Sequence, residues 1–264
     1  MNFIFQTITR LVVIASTSVL LSLSNVAHAK QDPNLVVLFG DSISLGFNQA
    51  SIFSQDNRSG DGALQFGVPS QYLDEILRDN NRKSLVANFG YGGSPSGPTF
   101  NESIGVGNGL QRITSDLSTA KELHGPSQRQ YILILYGTND MDYDIPASTT
   151  GMNIELMIDR SIAQGFIPIV GTIPPTDSAP LVNPQIRNAV ARSQNKGNEV
   201  YLVDHYIHLL PNWATLRDSD GLHPNNNGYL AIANYWFNNR LESLIPRDRL
   251  GNINGTLYLL LDDE

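Results

Sequence analysis

Five short apolar runs mark the chain, at 35–39 (LVVLF), 84–89 (SLVANF), 131–136 (YILILY), 166–171 (FIPIVG) and 199–203 (EVYLV). Each is rich in Val, Ile and Leu and lacks the polar alternation of a half-exposed strand. Each therefore reads as a strand covered on both faces. Between them the apolar positions recur with a helical period. Residues 68–80 put Tyr72, Leu73, Ile76 and Leu77 on one face. Residues 151–165 do the same with Ile154, Met157, Ile158 and Ile162 and stop on Gly165. Residues 185–196 and 225–244 read likewise. Alternating strands and helices predict an α/β fold on a parallel sheet. No repeat, low-complexity tract or linker interrupts the pattern, so residues 30–264 read as one domain. Two connections, 48–67 and 93–109, are polar, glycine-rich and longer than such a fold needs. Long loops at the carboxyl ends of parallel strands are where open α/β sheets take ligands. Residues 250–264 add a strand-like run, read as an edge strand.

The amino end departs from this pattern. Residues 1–29 carry one Arg and no acid, then a short apolar core, and end in Ala27-x-Ala29. That is the layout of a cleaved signal peptide, and the apolar core is short of the ~20 residues a membrane span needs. The expectation is an exported protein, periplasmic or extracellular, with no membrane anchor after cleavage. The chain has no cysteine, so it folds without disulfides. Its net charge of −8 argues against nucleic acid and anionic membrane as general partners. Three sequons begin at Asn57, Asn101 and Asn254.

Four places could carry chemistry. Gly40-Asp41-Ser42 ends the first strand and would set Ser42 at the sheet edge, near free backbone N–H groups. A serine that merely caps a helix is the competing reading. NFGYGG (88–93) follows the second strand with Gly90, Gly92 and Gly93, which allow close backbone approach to a ligand or simply make a turn. YGTND (136–140) ends the third strand. Asn139 could donate a side-chain N–H to an oxyanion, and Asp140 could equally form an Asx turn. DGLHPNNNGY (220–229) places Asp220 three residues before His223. A turn can then bring carboxylate to imidazole, fixing the tautomer and freeing the other ring nitrogen to take a proton. Asp204 and Asp218 are rival carboxylates. His205 and His208 share a helix face and could form half of a metal site. Trp213 could line a pocket or sit in the core.

Taken in order, these four blocks resemble the SGNH, or GDSL, hydrolase family, over residues 34 to about 240. The resemblance implies a flavodoxin-like three-layer α/β/α sandwich with a central five-stranded parallel sheet, and no cofactor or metal. It implies a catalytic Ser42, His223 and Asp220, with an oxyanion hole from the N–H groups of Ser42 and Gly93 and the Asn139 side chain. Gly90 or Gly92 could replace Gly93. Asp41 would hold the turn. The first block reads G-D-S-I-S, a variant of G-D-S-L. The expected activity is ester hydrolysis on a small-molecule, lipid or glycan ester. Two alternatives stand beside it: a glycan O-acyltransferase using the same triad, and a non-catalytic carbohydrate-binding module on the same scaffold.

Overall fold

The computed structural model describes residues 33–47, 68–98 and 107–248. Residues 1–32, where a signal peptide is expected, the three sequons, the 48–67 loop, residues 99–106 and the 250–264 run lie outside the described residues.

Among the described residues, five strands form the sheet: β1 (Asn34–Gly40), β2 (Ser84–Gly90), β3 (Gln130–Leu135), β4 (Ile167–Gly171) and β5 (Tyr201–Val203). Their order is β2-β1-β3-β4-β5, and every pairing is parallel. Among the described residues, α-helical segments accompany them at α1 (Ser42–Leu45), α2 (Val68–Asp79), α3 (Gly109–His124), α4 (Ala147–Ala163), α5 (Ala179–Asn195), α6 (His205–Leu209), α7 (Trp213–Leu216) and α8 (Asn226–Trp236). The last continues through a wider turn, Phe237–Leu241, to a short end at Glu242–Leu244.

The side-chain period of two explains the apolar runs. In β1, Leu35, Val37 and Phe39 pack with Ile113, Leu117, Ile154, Met157, Val182 and Ile186 of α3, α4 and α5. Val36 and Leu38 face the other way, against Leu73 and Leu77 of α2 and Tyr229, Ile232 and Trp236 of α8. Both faces are buried, so no polar residue interrupts the strand. The result is the three-layer α/β/α sandwich expected. Its strand order has a consequence for the site. The crossover from β1 to β2 runs through α2 on one face, and that from β2 to β3 runs through α3 on the other. The chain therefore diverges at the carboxyl ends of β1 and β3, and a crevice opens there.

The helices differ from the pattern in three places. α3 was legible only at its His124 end, because its start is hidden in a glycine-rich run; Asn108 caps it by accepting the Gln111 N–H at 3.0 Å. α4 starts at Ala147, four residues before the 151–165 segment read from the apolar pattern, after Pro146. α5 starts at Ala179, with one proline in its first turn and Pro184 inside the helix. An early proline needs no intrahelical donor, but Pro184 masks the start of the helix from a reader of breakers. Among the described residues, no helix is long and apolar enough to cross a membrane.

Candidate active site

Ser42 owes its place to the end of β1. A Cβ on Gly40 would lie 2.1 Å from the Ser44 Oγ and 2.3 Å from the Leu135 carbonyl, so only glycine fits where the strand turns. Asp41 then caps the single turn of α1, its Oδ1 accepting the Ile43 N–H at 2.9 Å. The turn closes on Gly46 at φ 94°. Ser42, the first residue of that turn, is 6% exposed, and its N–H has no acceptor within the helix. Asp41 is fully buried and its Oδ2 has no hydrogen-bond partner among the described residues. Burial pushes its pKa up to about 7, and the nearby Asp140 adds to the rise; Ile43 and Thr138 pull the other way.

The histidine arrives from the far end of the chain. His223 Nε2 lies 2.9 Å from the Ser42 Oγ, across 181 residues of sequence. Its Nδ1 lies 2.7 Å from Asp220 Oδ2. The other Asp220 oxygen accepts the N–H groups of Leu222 at 2.8 Å and His223 at 2.9 Å. One carboxylate thus closes its own turn and orients the ring at its end. Burial alone would raise the Asp220 carboxyl, but the hydrogen bonds from the His223 ring and the two N–H groups outweigh it and hold the pKa below its ordinary value. The loop is fixed elsewhere too. The Asp218 N–H donates to the His223 carbonyl at 2.7 Å. The Asn225 side chain caps α8 through the Gly228 N–H and donates to the carbonyls of Thr215 and Arg217. Phe47 packs on the imidazole with centroids 4.7 Å apart, and the Tyr229 hydroxyl donates to the Phe47 carbonyl at 2.5 Å.

The rival carboxylates and histidines have partners elsewhere, Asp218 accepting the Ser219 N–H at 2.6 Å. Asp204 takes two hydrogen bonds from Arg187 (2.7 and 3.1 Å) and others from Thr172 and Ile207. His205 is buried in the α8 side of the core with Trp236 edge-on at 4.5 Å, and His208 stacks on Tyr235 at 4.0 Å. The two therefore pack on aromatic rings, which is a structural role. Trp213 belongs to the core.

The glycine block separates by its hydrogen bonds. The Gly90 N–H donates to the Asn88 side chain at 2.8 Å, and a Cβ there would lie 2.2 Å from the Leu45 N. Gly90 is thus a packing glycine with its donor already used. Gly93 adopts φ 70°, beside the Tyr143 hydroxyl, and its N–H has no backbone acceptor among the described residues. Gly92 likewise shows none. Asn139 Nδ2 donates to the Ser94 carbonyl at 3.2 Å, which leaves its second amide hydrogen free to point elsewhere.

Asp140 departs from the Asx turn its position suggested. Its carboxylate is fully buried and reaches across to the β2 loop. It accepts the Ser96 N–H at 2.8 Å, the Ser96 hydroxyl at 2.5 Å and the Thr150 hydroxyl at 2.6 Å. No local signal could have revealed this, since Ser96 lies 44 residues away.

Several solved structures share this architecture. A lipase/acylhydrolase from Enterococcus faecalis aligns with TM-score 0.58 at 19% identity, over 82% of this chain and 99% of that one. A family 3 carbohydrate esterase from Clostridium thermocellum aligns with TM-score 0.57 at 18% identity, over 80% and 98%. The esterase EstA from a Pseudoalteromonas species aligns with TM-score 0.55 at 18% identity, over 80% and 98%. At such identities the likeness is one of fold. No curated protein matches the chain. The model of the GDSL-like lipase/acylhydrolase family, however, matches residues 38–231, from β1 into α8. By that match the chain belongs to the GDSL-like lipase/acylhydrolase family and is an ester-hydrolysing serine hydrolase.

Proposed function

We propose that Ser42 is the nucleophile of this esterase, with His223 its general base and Asp220 the group that orients the imidazole. The observation that carries the reading is the continuous relay of 2.9 Å and 2.7 Å from Ser42 Oγ through His223 to Asp220. His223 Nε2 takes the Ser42 proton as Oγ attacks the ester carbonyl. The N–H groups of Ser42 and Gly93 and the Asn139 amide hold the oxygen as charge develops on it. His223 returns the proton to the leaving alcohol, the C–O bond breaks, and an acyl-Ser42 ester remains. Water, activated by the same imidazole, attacks that ester and releases the acid. Asp220 stays ionised and stabilises the imidazolium.

The substrate class we infer is a neutral ester of short acyl chains, carried by a soluble alcohol or a glycan, met after export. The acidic balance of the chain and the exposed carboxylates of Asp142 and Asp144, just past Asn139, disfavour anionic head groups. The deciding experiment is hydrolysis of p-nitrophenyl esters from acetyl to palmitoyl by the mature protein and by Ser42→Ala. The expected result is activity greatest on acetyl, falling with length and absent in the variant. Activity that rises with length would overturn the substrate class. Activity retained in Ser42→Ala would overturn the nucleophile.

A further inference from the structure

We propose that Asp140 is a positioning residue for the oxyanion hole, a clamp that sets Gly93 against Asn139. The inference rests on the assignment of those two residues as donors. The geometry behind it is that neighbouring residues grip one loop. Asn139 donates to the Ser94 carbonyl, and Asp140 accepts both the N–H and the hydroxyl of Ser96. Both contacts fall within three residues of Gly93. The loop between β2 and α3 has no strand pairing of its own there, so its place depends on such bonds.

The clamp is itself fixed. Thr150, from the first turn of α4, donates to the same Oδ2 of Asp140 that the Ser96 hydroxyl reaches. Asn153, one turn further on, donates to the Ser96 Oγ at 2.8 Å. The carboxylate thus has three donors and no exposed surface. A buried carboxylate so fully satisfied is rigid, because moving the loop would strand an unpaired acceptor. Oxyanion donors act only when they are aimed before charge develops, and a displacement of about 1 Å can cost 10²-fold in rate.

Two matched deletions test this. Ser96→Ala and Thr150→Val each remove one hydroxyl donor from Asp140 Oδ2 and leave the carboxylate two others. Only the first removes bonds made by the loop that carries Gly93, the second acting on it solely through Asp140. With p-nitrophenyl acetate, Ser96→Ala should lower kcat by about 10- to 100-fold at unchanged KM. Thr150→Val, which leaves both Ser96 donors on Asp140, should lower kcat by a clearly smaller factor, with melting temperatures recorded for both. Equal kcat in the two variants, or a Ser96→Ala defect confined to KM, would overturn the clamp. Asn139→Ala, measured alongside, separates the two levels. A loss of about 10²- to 10³-fold in its kcat with equal Ser96→Ala and Thr150→Val values sinks the clamp alone. Wild-type kcat in Asn139→Ala would sink the oxyanion assignment and the clamp with it.

Discussion

His223 Nε2 and Ser42 Oγ stand 2.9 Å apart although 181 residues separate them in sequence. The contact depends on two independent turns, one at the end of β1 and one before α8. Asp220 makes the second turn and aims the ring, so it should matter more than its partial exposure suggests. Asp220→Asn keeps the size but replaces one acceptor oxygen with a donor, which cannot receive the Nδ1 proton. A fall in kcat on the order of 10⁴ is expected, by analogy with other triads. Ser42→Ala should abolish turnover. Steady-state kinetics on p-nitrophenyl acetate and labelling with a fluorophosphonate read both effects. Asp220→Asn with wild-type kcat would remove the carboxylate from the mechanism.

Asn139 offers one amide hydrogen to Ser94 and has another to give. Asn139→Ala should cost about 10² to 10³ in kcat and leave KM little changed, since the proposed oxyanion donor would act on charge that develops only in the transition state. Asn139→Asp should be no better, because a carboxylate cannot donate and would repel the oxyanion. A variant with kcat near wild type but a raised KM would place Asn139 in ground-state binding instead.

Ser42, Asp220 and His223 stand out in the sequence because each sits in a short local signature that a turn makes meaningful. Gly40 before Asp41-Ser42, and Asp220 three residues before His223, describe complete turns within a few residues. The apolar runs were legible as buried strands for the same reason, since burial on both faces removes polar positions locally. Strand order was not, because nothing in LVVLF or YILILY names a neighbour. The distinction between Gly90 and Gly93 was also out of reach. It rests on the Asn88 side chain taking one N–H and on α1 pressing against Gly90. Asp140 reads as a turn residue until Ser96 and Thr150 are brought to it by the fold.

Asp41 carries a cost that pH should reveal. Its folded pKa of about 7 lies above the ordinary 3.8. The folded protein therefore binds a proton more readily than the unfolded chain between those values. The penalty is absent below about pH 4 and complete above about pH 7, where a shift of roughly three units corresponds to as much as about 4 kcal/mol. Asp41→Asn keeps a side-chain oxygen to cap the Ile43 N–H and has no charge to bury. Its melting temperature should exceed wild type at pH 8 to 9, with the gain shrinking as pH falls. Wild-type and variant curves that run parallel from pH 4 to 9 would show that Asp41 does not titrate in this range.

His205 should act in the opposite direction, and at acid pH. It is fully buried, neither ring nitrogen has a hydrogen-bond partner among the described residues, and burial followed by the charge of His208 lowers its pKa from 6.5 to about 3. The unfolded chain thus binds the proton first as pH falls. Stability from the neutral ring is complete above about pH 6.5 and is lost progressively toward pH 3. His205→Leu keeps an apolar side chain against Trp236 and removes the titration. It loses packing at neutral pH, where the leucine fits the imidazole space imperfectly, so a modest destabilisation is expected at pH 8. Between pH 6 and 4 the wild type should weaken faster than the variant, and the two melting curves should approach or cross. Melting temperatures taken at half-unit pH steps decide it. A constant difference across the range would mean that His205 is not the group through which acid unfolds this protein.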